Sequence, residues 1–418
     1  MYQAPRGTFD IYNEDYNLRK SLVDTLFSIT EKYGFNNIET PIFEDVNLFV
    51  RTVGETSDIV NKEIYEFNDK KGRSLALRPE LTAPIMRSYI QNKMYAQNPI
   101  KKMAYYGPAF RYERPQAGRF RQFYQFGIES FGIKNPIYDA QIIAMAKEIL
   151  DFLNIKNYQI NINTIGSKEE RLLYNKALQN YFKNYQENLC HDCIKRLEKN
   201  PLRILDCKHD NQKDFFQNIP KLNDFLEKES KDYFSKIIKG LDDLKIDYVI
   251  DDSLVRGLDY YNDLVFEIKM NTPNAKDTVI GGGRYDHLAT VLDGPFTEAI
   301  GFAIGVERLI DLFKNENEIN SLDYRLKYDI FLGMINENDV IRFNDLIIKL
   351  RQLGFICETN YEQQSYKSCL KQALKNEAIF LVTLNDDKFI LKNLIEKTEE
   401  ELTKEELINY FKEINETV

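Results

Sequence analysis

The sequence predicts an α/β (α+β) protein that contains an antiparallel hairpin, a helical insertion and a smaller C-terminal α/β domain. Two aromatic-rich runs within Tyr105–Gly132 flank the turn signal Pro115-Gln116-Ala117-Gly118, a pattern typical of a hairpin. Residues from Lys168 to about Ser235 are charged and helical in character, with few strand signals. From Tyr328 onward, strand-like runs alternate with amphipathic helical runs, which indicates a separate α/β domain.

The composition is typical of a globular protein with two or three domains. Of its 418 residues, 43% are hydrophobic and 29% are charged. With a net charge of −9, a nucleic-acid partner must be held by local basic patches. No apolar run reaches membrane-spanning length and the first residues lack a signal-peptide core, so we expect no membrane partner. Five cysteines, an odd number, favour free thiols and a reducing cytoplasm.

The first elements are predicted to be a helix and an edge strand. Asn17–Tyr33 has apolar residues at helical spacing, and Gly34 is placed to end the helix. Phe35–Glu44 has the composition of a strand. Pro41 restricts that strand to a sheet edge, because proline cannot donate to a central ladder.

The segment Leu75–Pro84 combines an apolar strand with a proline turn, a carboxylate and a hydroxyl. Glu80 and Thr82 are residue types favoured in the first turn of a helix, which gives a purely structural interpretation. Their position close upstream of the hairpin also suits a ligand-binding role. The residues alone leave both interpretations open.

The hairpin is the strongest candidate for a functional surface. Alternate side chains of a strand share a face, so one face should carry these residues, with Gly127 leaving space among them: Arg111, Glu113, Phe123, Gln125 and Glu129. Such a wall suits a small polar ligand that has a phosphate and an amine. A cluster of arginines at the tip is placed to grip a phosphate backbone: Arg114, Arg119 and Arg121. The alternative is a polar hairpin whose charges are only solvated.

Beyond the hairpin, Tyr138–Leu153 is predicted as a helix and Tyr158–Thr164 as a strand. The charged insertion then carries Cys190-His191-Asp192-Cys193 and Cys207-Lys208-His209. Such residues form tetrahedral zinc sites, but the second half lacks a regular Cys-x-x-Cys. We therefore expect thiols without a metal, with zinc as the open alternative.

Two later segments indicate a ligand site. Leu254–Ile268 contains Arg256-Gly257 between apolar residues, a turn that should push a guanidinium inward, followed by a strand that carries Tyr261. Ile280–Asp286 contains a glycine run without a Walker lysine, so we expect backbone passing close beneath a ligand. Ala299–Ile310 is then predicted as a strand entering a helix, with a polar linker over Asn315–Tyr324.

Several of these segments resemble one family. Phe110-Arg111-x-Glu113-Arg114 with its returning strand resembles motif 2 of class II aminoacyl-tRNA synthetases, and Arg-x-Glu-Arg-Pro-Gln-x-Gly-Arg-x-Arg-Gln-Phe is similar to the histidyl-tRNA synthetase version. The helix, strand and Pro41 resemble motif 1, and Ala299–Ile310 resembles motif 3. Leu254–Tyr261 and Ile280–Asp286 resemble the two histidine-specific segments of that family. Tyr112 stands where many members carry histidine, and we expect it to face away from the pocket.

The resemblance implies a class II synthetase antiparallel sheet flanked by helices. It places the catalytic domain in residues 1–166 and 236–318, a helical insertion over the tRNA acceptor stem in 167–235, and an anticodon-binding domain in 326–418. Motif 1 is the dimer-forming element of the family, so a homodimer is expected.

The activity implied is histidine–tRNA ligation: histidine and ATP, with Mg²⁺, give histidyl-adenylate, and the histidyl group passes to histidine tRNA. The residues assigned by the resemblance are catalytic Arg111 and Arg256; for histidine Glu80, Thr82, Gln125, Glu129, Tyr260 and Tyr261; for ATP Arg111, Glu113, Phe123 and Arg308; and for tRNA Arg114, Gln116, Arg119 and Arg121. Unpaired buried groups would reject apolar amino acids by roughly 10⁴-fold, so no editing domain is expected.

Two other functions were weighed. Regulatory subunits of ATP phosphoribosyltransferase share this fold, but they lack the full set of site residues and usually the anticodon domain. This chain matches the site residues and has the pattern of a C-terminal α/β domain, which disfavours the regulatory role. A nucleic-acid-binding module without catalysis is disfavoured by the negative net charge and by the complete pocket.

Overall fold

The computed structural model describes residues 2–54, 57, 59–115, 118–205, 207, 209–270, 278–317, 327–337 and 339–417. The chain divides into two compact units, Met1–Leu322 and Asp323–Val418. Within the described ranges, no helix is both long enough and apolar enough to span a membrane.

The strands of the first unit belong to a large sheet and a small one. In chain order they are β1 (Asn36–Asn37), β2 (Phe43–Asp45), β3 (Tyr65–Asn68), β4 (Ser74–Leu77), β5 (Lys101–Phe110), β6 (Gln122–Phe131), β7 (Tyr158–Thr164), β8 (Val249–Ile250), β9 (Asn262–Met270), β10 (Thr278–Arg284) and β11 (Ala299–Gly305). The large sheet has eight strands in the order β1-β5-β6-β11-β10-β9-β7-β8. Its six inner strands all pair antiparallel, and only the short outer strands β1 and β8 pair parallel. The predicted antiparallel sheet flanked by helices is confirmed.

The predicted edge strand over Phe35–Glu44 was wrong as a single element. Asn36–Asn37 pairs with β5 in the large sheet, whereas Phe43–Asp45 pairs with β4 in a three-stranded sheet of β2, β4 and β3. Arg78 explains the break, because its buried guanidinium donates to the carbonyl oxygens of Thr40 and Pro41 at 2.8 and 3.2 Å. These bonds hold the chain between the two sheets.

Helices cover the large sheet and form the insertion. They are α1 (Asn13–Lys32), α2 (Val46–Val53), α3 (Thr82–Gln91), α4 (Met94–Gln97), α5 (Pro136–Phe152), α6 (Lys168–Lys183), α7 (His191–Lys199), α8 (Lys228–Asp243), α9 (Leu288–Val291) and α10 (Val306–Glu316). Strand β7 leads into α6, and α8 leads back towards β8, so the stretch between is helical with short 3-10 turns. Helix α10 extends into the predicted linker as far as Glu316, and the rest of that linker lies outside the described residues.

Local sequence accounts for the ends of several helices. The buried face of α1 comes from apolar residues three or four positions apart, and Gly34 (φ +80°) follows its end. Asn135 caps α5 through the backbone N–H of Ile137, and Pro136 is the first helical residue. Ser167 and Glu170 form a reciprocal capping box at α6.

A buried ionic cluster fixes the end of β10 against α5. The guanidinium of Arg284 is fully buried and pairs with Asp139 on α5 and with Asp286, each at 2.8 Å. Tyr233 of α8 donates to Asp139 at 3.0 Å. Each charge is therefore paired and hydrogen-bonded, as a buried charge requires.

The second unit is a small α/β fold, as the alternating pattern predicted. Its elements are β12 (Ile330–Gly333), α11 (Asp339–Gln352), β13 (Cys357–Thr359), α12 (Tyr366–Lys375), β14 (Phe380–Asn385), β15 (Lys388–Asn393), β16 (Glu399–Leu402) and α13 (Lys404–Thr417). Strands β13, β12 and β14 are parallel, and β15 and β16 extend the sheet antiparallel. The sequence pattern predicted the strands β12, β13 and β14 but neither their direction nor this terminal antiparallel pair.

Candidate active site

A polar cavity of about 220 Å³ lies on one face of the large sheet. Cross-strand pairing sets Gly281 opposite Ala303 and Ala303 opposite Gly127, so these small residues lie side by side across three strands. Side chains directly opposite each other on antiparallel strands share a face. Gly281 and Ala303 therefore form part of the floor of the cavity, and larger polar side chains form its walls.

The cavity collects the residues that the sequence assigned to histidine, ATP and catalysis. Its lining includes Glu80, Thr82, Arg111, Glu113, Phe123, Gln125, Glu129, Arg256, Tyr260, Tyr261 and Arg308. These come from five separate segments of the chain. The predicted common face of the hairpin is thus found, and Tyr112 lies outside it, exposed and packed edge-on against Tyr65. The roles of the individual residues remain predictions.

Glu129 forms the buried end of the cavity. Its carboxyl group is 1% exposed and accepts hydrogen bonds from Thr82 Oγ1 at 2.6 Å and from the hydroxyls of Tyr105 and Tyr285. Burial raises the pKa of Glu129 to about 8, and the bonds from Thr82 and Tyr285 offset this rise only in part. The carboxyl group is therefore largely protonated at neutral pH, and it can donate a proton to a ligand.

Gln125 presents an unused acceptor on the same wall. Its Oε1 atom is buried and finds no hydrogen-bond donor among the described residues. A buried acceptor without a donor costs free energy, so this position favours a ligand that brings N–H groups. An ammonium group is such a ligand.

Glu80 acts first as a cap for helix α3. Its two carboxylate oxygens accept the backbone N–H groups of Thr82 at 2.7 Å and Ala83 at 2.9 Å. The structural interpretation, in which Glu80 is favoured at the start of a helix, is therefore confirmed. The carboxyl group also lines the cavity, where burial raises its pKa, so the ligand role stays a prediction beside it.

Arg256 lies against Gly281 and pairs with the carboxylate of Glu267. Its guanidinium bonds to Glu267 on β9, and a Cβ atom added at Gly281 would lie 2.3 Å from Arg256 Nη2. The glycine run was predicted to pass close beneath a ligand. In the structure Gly281 lines the cavity and also leaves room for the guanidinium of Arg256, so the prediction about a ligand stays a prediction.

Arg111 also lines the cavity, directly after the end of β5. Its Nε atom donates to the carbonyl oxygen of Pro79 at 2.9 Å, and its guanidinium carbon lies 5.2 Å from the centre of the Phe123 ring. The two proposed catalytic arginines therefore both face the cavity, each held by a fixed acceptor. Two such cations favour an anionic ligand between them.

The rim beside Arg111 is formed by the hairpin tip and the start of α10. Arg119 pairs with Glu113 at 3.1 Å and lines the cavity, although we predicted it as a tRNA contact. Arg308 donates to the carbonyl oxygens of Gly118 at 3.1 Å and Thr278 at 2.6 Å. Arg308 therefore links the tip to β10 at the cavity edge.

The arginines of the tip differ in their surroundings. Arg114 is exposed, whereas Arg121 lies with its guanidinium carbon 3.9 Å from the centre of the Tyr112 ring. Gln116, the other predicted tRNA contact, lies outside the described residues. Among the described residues of the predicted tRNA-contact set, Arg114 is the exposed one, as a contact with a phosphate backbone requires.

Several residues of the site were missed by the sequence analysis. Tyr105 and Tyr285 bond to Glu129, and Tyr285 also packs edge-on against Tyr260 with ring centres 5.5 Å apart. Glu267 holds Arg256. A signal was available for Tyr285, since it lies within the glycine-run segment, but a tyrosine or a strand glutamate has no pattern of its own that marks it as a partner.

The architecture around this site matches known proteins. The solved structure of apo histidyl-tRNA synthetase from Staphylococcus aureus superposes with a TM-score of 0.82 at 36% identity, covering 99% of this chain and 100% of that chain. A Bacillus halodurans chain described as an ATP phosphoribosyltransferase regulatory subunit/histidyl-tRNA synthetase gives 0.62 at 21% identity, covering 89% and 96%, and shares the fold alone. The fold is that of the class II aminoacyl-tRNA synthetases.

Sequence comparison narrows the class. A family model described as Histidyl-tRNA synthetase matches residues 7–309. The histidine–tRNA ligase of Staphylococcus haemolyticus (strain JCSC1435) is 42% identical over 99% of this chain and 100% of its own length. That of Lactobacillus helveticus (strain DPC 4571) is also 42% identical, over 92% of this chain and 90% of its own length. The chain belongs to the histidyl-tRNA synthetase family.

Proposed function

We propose that this protein is a histidine–tRNA ligase that activates histidine with ATP and transfers it to histidine tRNA. The observation that carries the proposal is the pairing of a buried acid–tyrosine end at Glu129 with two arginines, Arg111 and Arg256, in one cavity. The first part suits an imidazole ring, and the second suits a carboxylate and a phosphate brought together. The named relatives support the same activity over the regulatory alternative.

Histidine would bind with its side chain at the buried end. An imidazole ring offers a donor and an acceptor, and Glu129 and Tyr261 are assigned to its two nitrogens. Its α-ammonium group is assigned to Gln125, whose buried oxygen has no donor among the described residues, and to Glu80 and Thr82. An apolar amino acid would leave these groups unpaired, which is the basis for strong rejection.

The first chemical step joins two anions that repel each other. A carboxylate oxygen of histidine attacks the α-phosphorus of ATP, the bond to the pyrophosphate oxygen breaks, and pyrophosphate leaves. Arg111 and Arg256 would neutralise both anions and the crowded phosphorus, because a guanidinium can bond to carboxylate and phosphate oxygens at once. Most of the rate enhancement would then come from positioning and charge.

ATP enters as its magnesium complex. Phe123 and Arg308 are assigned to the adenine, and Glu113, a carboxylate on the cavity rim, to the nucleotide or its Mg²⁺. Carboxylate oxygens suit this hard cation. In the second step a ribose hydroxyl of the terminal adenosine of tRNA attacks the activated carbonyl carbon, and AMP leaves.

The tRNA and a second copy of the chain are the expected macromolecular partners. Arg114 is the exposed basic residue beside the cavity, and Arg119, Arg121 and Gln116 complete the predicted contact set. We assign the helical stretch 167–235 to the acceptor stem, the second unit to the anticodon, and the protein to the cytoplasm. The homodimer is supported by exposed apolar side chains on the small sheet, where Phe43 is 53% and Phe67 41% exposed, next to Pro41.

Amino-acid-dependent exchange of pyrophosphate into ATP tests this function. With each of the twenty amino acids in turn, we expect exchange with histidine alone. Arg256→Ala should reduce single-turnover adenylate formation by on the order of 10²–10³-fold while the fold is retained. Exchange with a different amino acid, or with none, would refute the proposal.

A further inference from the structure

Four side chains with metal-binding chemistry converge in the helical insertion, outside the cavity. They are Cys190, Cys193, Cys207 and Asp210, and their ligand atoms all lie within 4.8 Å of one another. Cys193 and Asp210 are 0% exposed and Cys207 is 5% exposed, while Cys190 is half-buried. Three thiols and a carboxylate gathered in a buried place are a donor set, not a solvated surface.

The spacing of the sulfur atoms fits a tetrahedral metal site. Cys190 Sγ and Cys207 Sγ are 3.7 Å apart. A tetrahedron with metal–sulfur bonds of about 2.3 Å has a sulfur–sulfur edge of about 3.8 Å, whereas a disulfide needs about 2.05 Å. The observed separation fits two thiolates on one ion and is too long for a disulfide bond.

The local chain explains how the ligands meet. Cys190 immediately precedes α7 and Cys193 lies in its first turn, three residues on, so these residues share one side of the helix. Asp210 is turned inward by the backbone N–H of Cys190 at 2.9 Å and by Lys213 Nζ at 2.7 Å. Each carboxylate oxygen keeps a further lone pair for a metal.

The ligand set differs from the one that the sequence suggested. The pattern pointed to His209 as the fourth ligand and lacked a regular second pair, so we expected no metal. His209 is exposed, and Asp210 takes the inward position beside it. The geometry thus supports a site that the spacing alone disfavoured.

We propose that Cys190, Cys193, Cys207 and Asp210 bind one structural zinc ion. Three thiolates and one carboxylate oxygen in a closed tetrahedral arrangement suit Zn²⁺, which accepts sulfur and oxygen ligands together and needs no open position in a structural site. The ion would join the start of α7 to the loop after the 3-10 turn Pro201–Ile204.

The segment between the ligands also touches the loop that carries Arg256. Arg203 donates to the carbonyl oxygen of Gly257 at 2.7 Å and to Asp259 Oδ1 at 2.9 Å, and Asn200 Nδ2 donates to the same Asp259 atom at 3.0 Å. Because Cys193 and Cys207 flank this segment, the zinc would fix both its ends. The ion therefore braces the Arg256 loop, an inference that rests on the proposed role of Arg256.

Metal analysis of the full-length protein, purified without chelators, tests the site. Plasma mass spectrometry should find about one zinc per chain in the wild type, a loss of most of it in Cys193→Ser and Asp210→Asn, and no change in Cys369→Ser, a buried cysteine of the second unit. Replacement by Co²⁺ should give the thiolate charge-transfer and visible bands of a tetrahedral ion. Iron in place of zinc, a metal-free protein with free thiols, or a Cys190–Cys207 disulfide would overturn the proposal.

A titration on the wild type covers the case in which the variants do not fold. Modification of the thiols with a mercurial reagent should release the zinc stoichiometrically to a colorimetric chelator. Release of no zinc from folded wild-type protein contradicts the site whatever the variants do.

Hydrogen exchange tests the brace separately from the activity. Removal of zinc should speed amide exchange in peptides covering residues 200–203 and 254–259 and leave those of β5 and β6 unchanged. Unchanged exchange in a protein shown to have lost zinc would overturn the brace. Failure of the proposed function would appear differently, as zinc-loaded wild type without histidine-dependent pyrophosphate exchange.

Discussion

At the scale of single residues, the site depends on one acid kept out of water. Glu129 is surrounded by hydroxyl donors, and burial raises its pKa to about 8. Most surface carboxylates are ionised at pH 7. In the proposed function, a protonated carboxyl group at the end of the cavity would select histidine, because it can share its proton with an imidazole nitrogen.

Replacing this acid should affect histidine far more than ATP. Glu129→Gln keeps the size of the side chain and the acceptor for Thr82, but it cannot share a proton with imidazole. We expect the KM for histidine in pyrophosphate exchange to rise by on the order of 10–10²-fold, which corresponds to the loss of one hydrogen bond to a charged group. The KM for ATP should change little.

The matched control is Glu31→Gln, which alters an exposed carboxylate on α1 and should leave both constants unchanged. If Glu129→Gln weakens histidine and ATP equally, Glu129 has a structural role and not a recognition role.

Proton counting tests the ionisation state of Glu129 directly. At pH 7.5 free imidazole is mostly neutral, with a pKa of about 6.5, and Glu129, with its pKa raised to about 8, still carries its proton. The two groups thus bring one proton, which the bound pair shares. Histidine binding at pH 7.5 should therefore take up or release almost no protons, and uptake should begin as the pH rises through about 8.

Titration calorimetry in buffers of different ionisation enthalpy gives this proton count. Uptake of one proton at pH 7.5 would mean that Glu129 is already ionised before histidine binds. Release of one proton would mean that a carboxylate meets a neutral ring. The α-amino group of histidine also titrates at higher pH and contributes to the proton count. Glu129→Gln is the control, because it removes the contribution of Glu129 and keeps that of the α-amino group.

At the scale of elements, strand register decides what the cavity can hold. Gly281 on β10 pairs with Glu267 on β9 and with Ala303 on β11. The guanidinium of Arg256 fills the space that a side chain at Gly281 would occupy. The glycine is required by this close approach and not by its backbone angles. The absence of a side chain at Gly281 therefore leaves the space in which the guanidinium of Arg256 is held.

Gly281→Ala should displace the guanidinium of Arg256 without any change to the arginine itself. The added methyl group would lie 2.3 Å from Arg256 Nη2, so the guanidinium must move away from Glu267 and the cavity. Single-turnover adenylate formation should fall by at least about tenfold, in the direction of Arg256→Ala, because misplaced catalytic groups lose their effect steeply with distance.

Gly257→Ala is the control for this substitution, since an added Cβ atom there meets nothing within 4 Å. Equal rates for Gly281→Ala and the wild type, with an intact fold by circular dichroism, would show that the position of Arg256 does not limit adenylation.

At the scale of the whole molecule, activation and tRNA reading are assigned to different units. All the cavity residues belong to Met1–Leu322, and the second unit begins at Asp323. The second unit has its own hydrophobic core, which includes Leu332, Phe343 and Phe411. All the residues that we assign to adenylation thus lie in the first unit.

A chain that ends at Leu322 should still make adenylate but transfer poorly. If the second unit contacts the anticodon, its removal leaves only the acceptor-end contacts, and transfer to tRNA should fall by on the order of 10²-fold through lost bivalent binding. The salt dependence of tRNA binding should also flatten, because fewer phosphates are neutralised. Rapid-quench rates of adenylation and of transfer measure the two steps.

The truncated protein must first be shown to have the same oligomeric mass as the full chain, so that loss of the dimer is not mistaken for loss of tRNA contacts. Transfer at the full-length rate by a truncated dimer would contradict anticodon binding by the second unit.

The sequence by itself determined the parts whose signal is local. A turn between two aromatic runs produced the hairpin with β5 and β6, period-2 alternation placed Arg111, Phe123, Gln125 and Glu129 on one face, and apolar spacing produced helices such as α1. Each of these depends on residues a few positions apart, so the pattern is visible in the chain.

Only the tertiary structure decided which distant side chains meet. Glu129 meets Tyr285, Arg256 meets Glu267, and Asp210 replaces His209 beside the three cysteines. Strand order, register and the turn after α7 set these pairs, and no local spacing encodes them. For the same reason Phe35–Glu44 was split between two sheets, because Arg78, which donates to the carbonyl oxygens of Thr40 and Pro41 between the two strands, lies outside the segment.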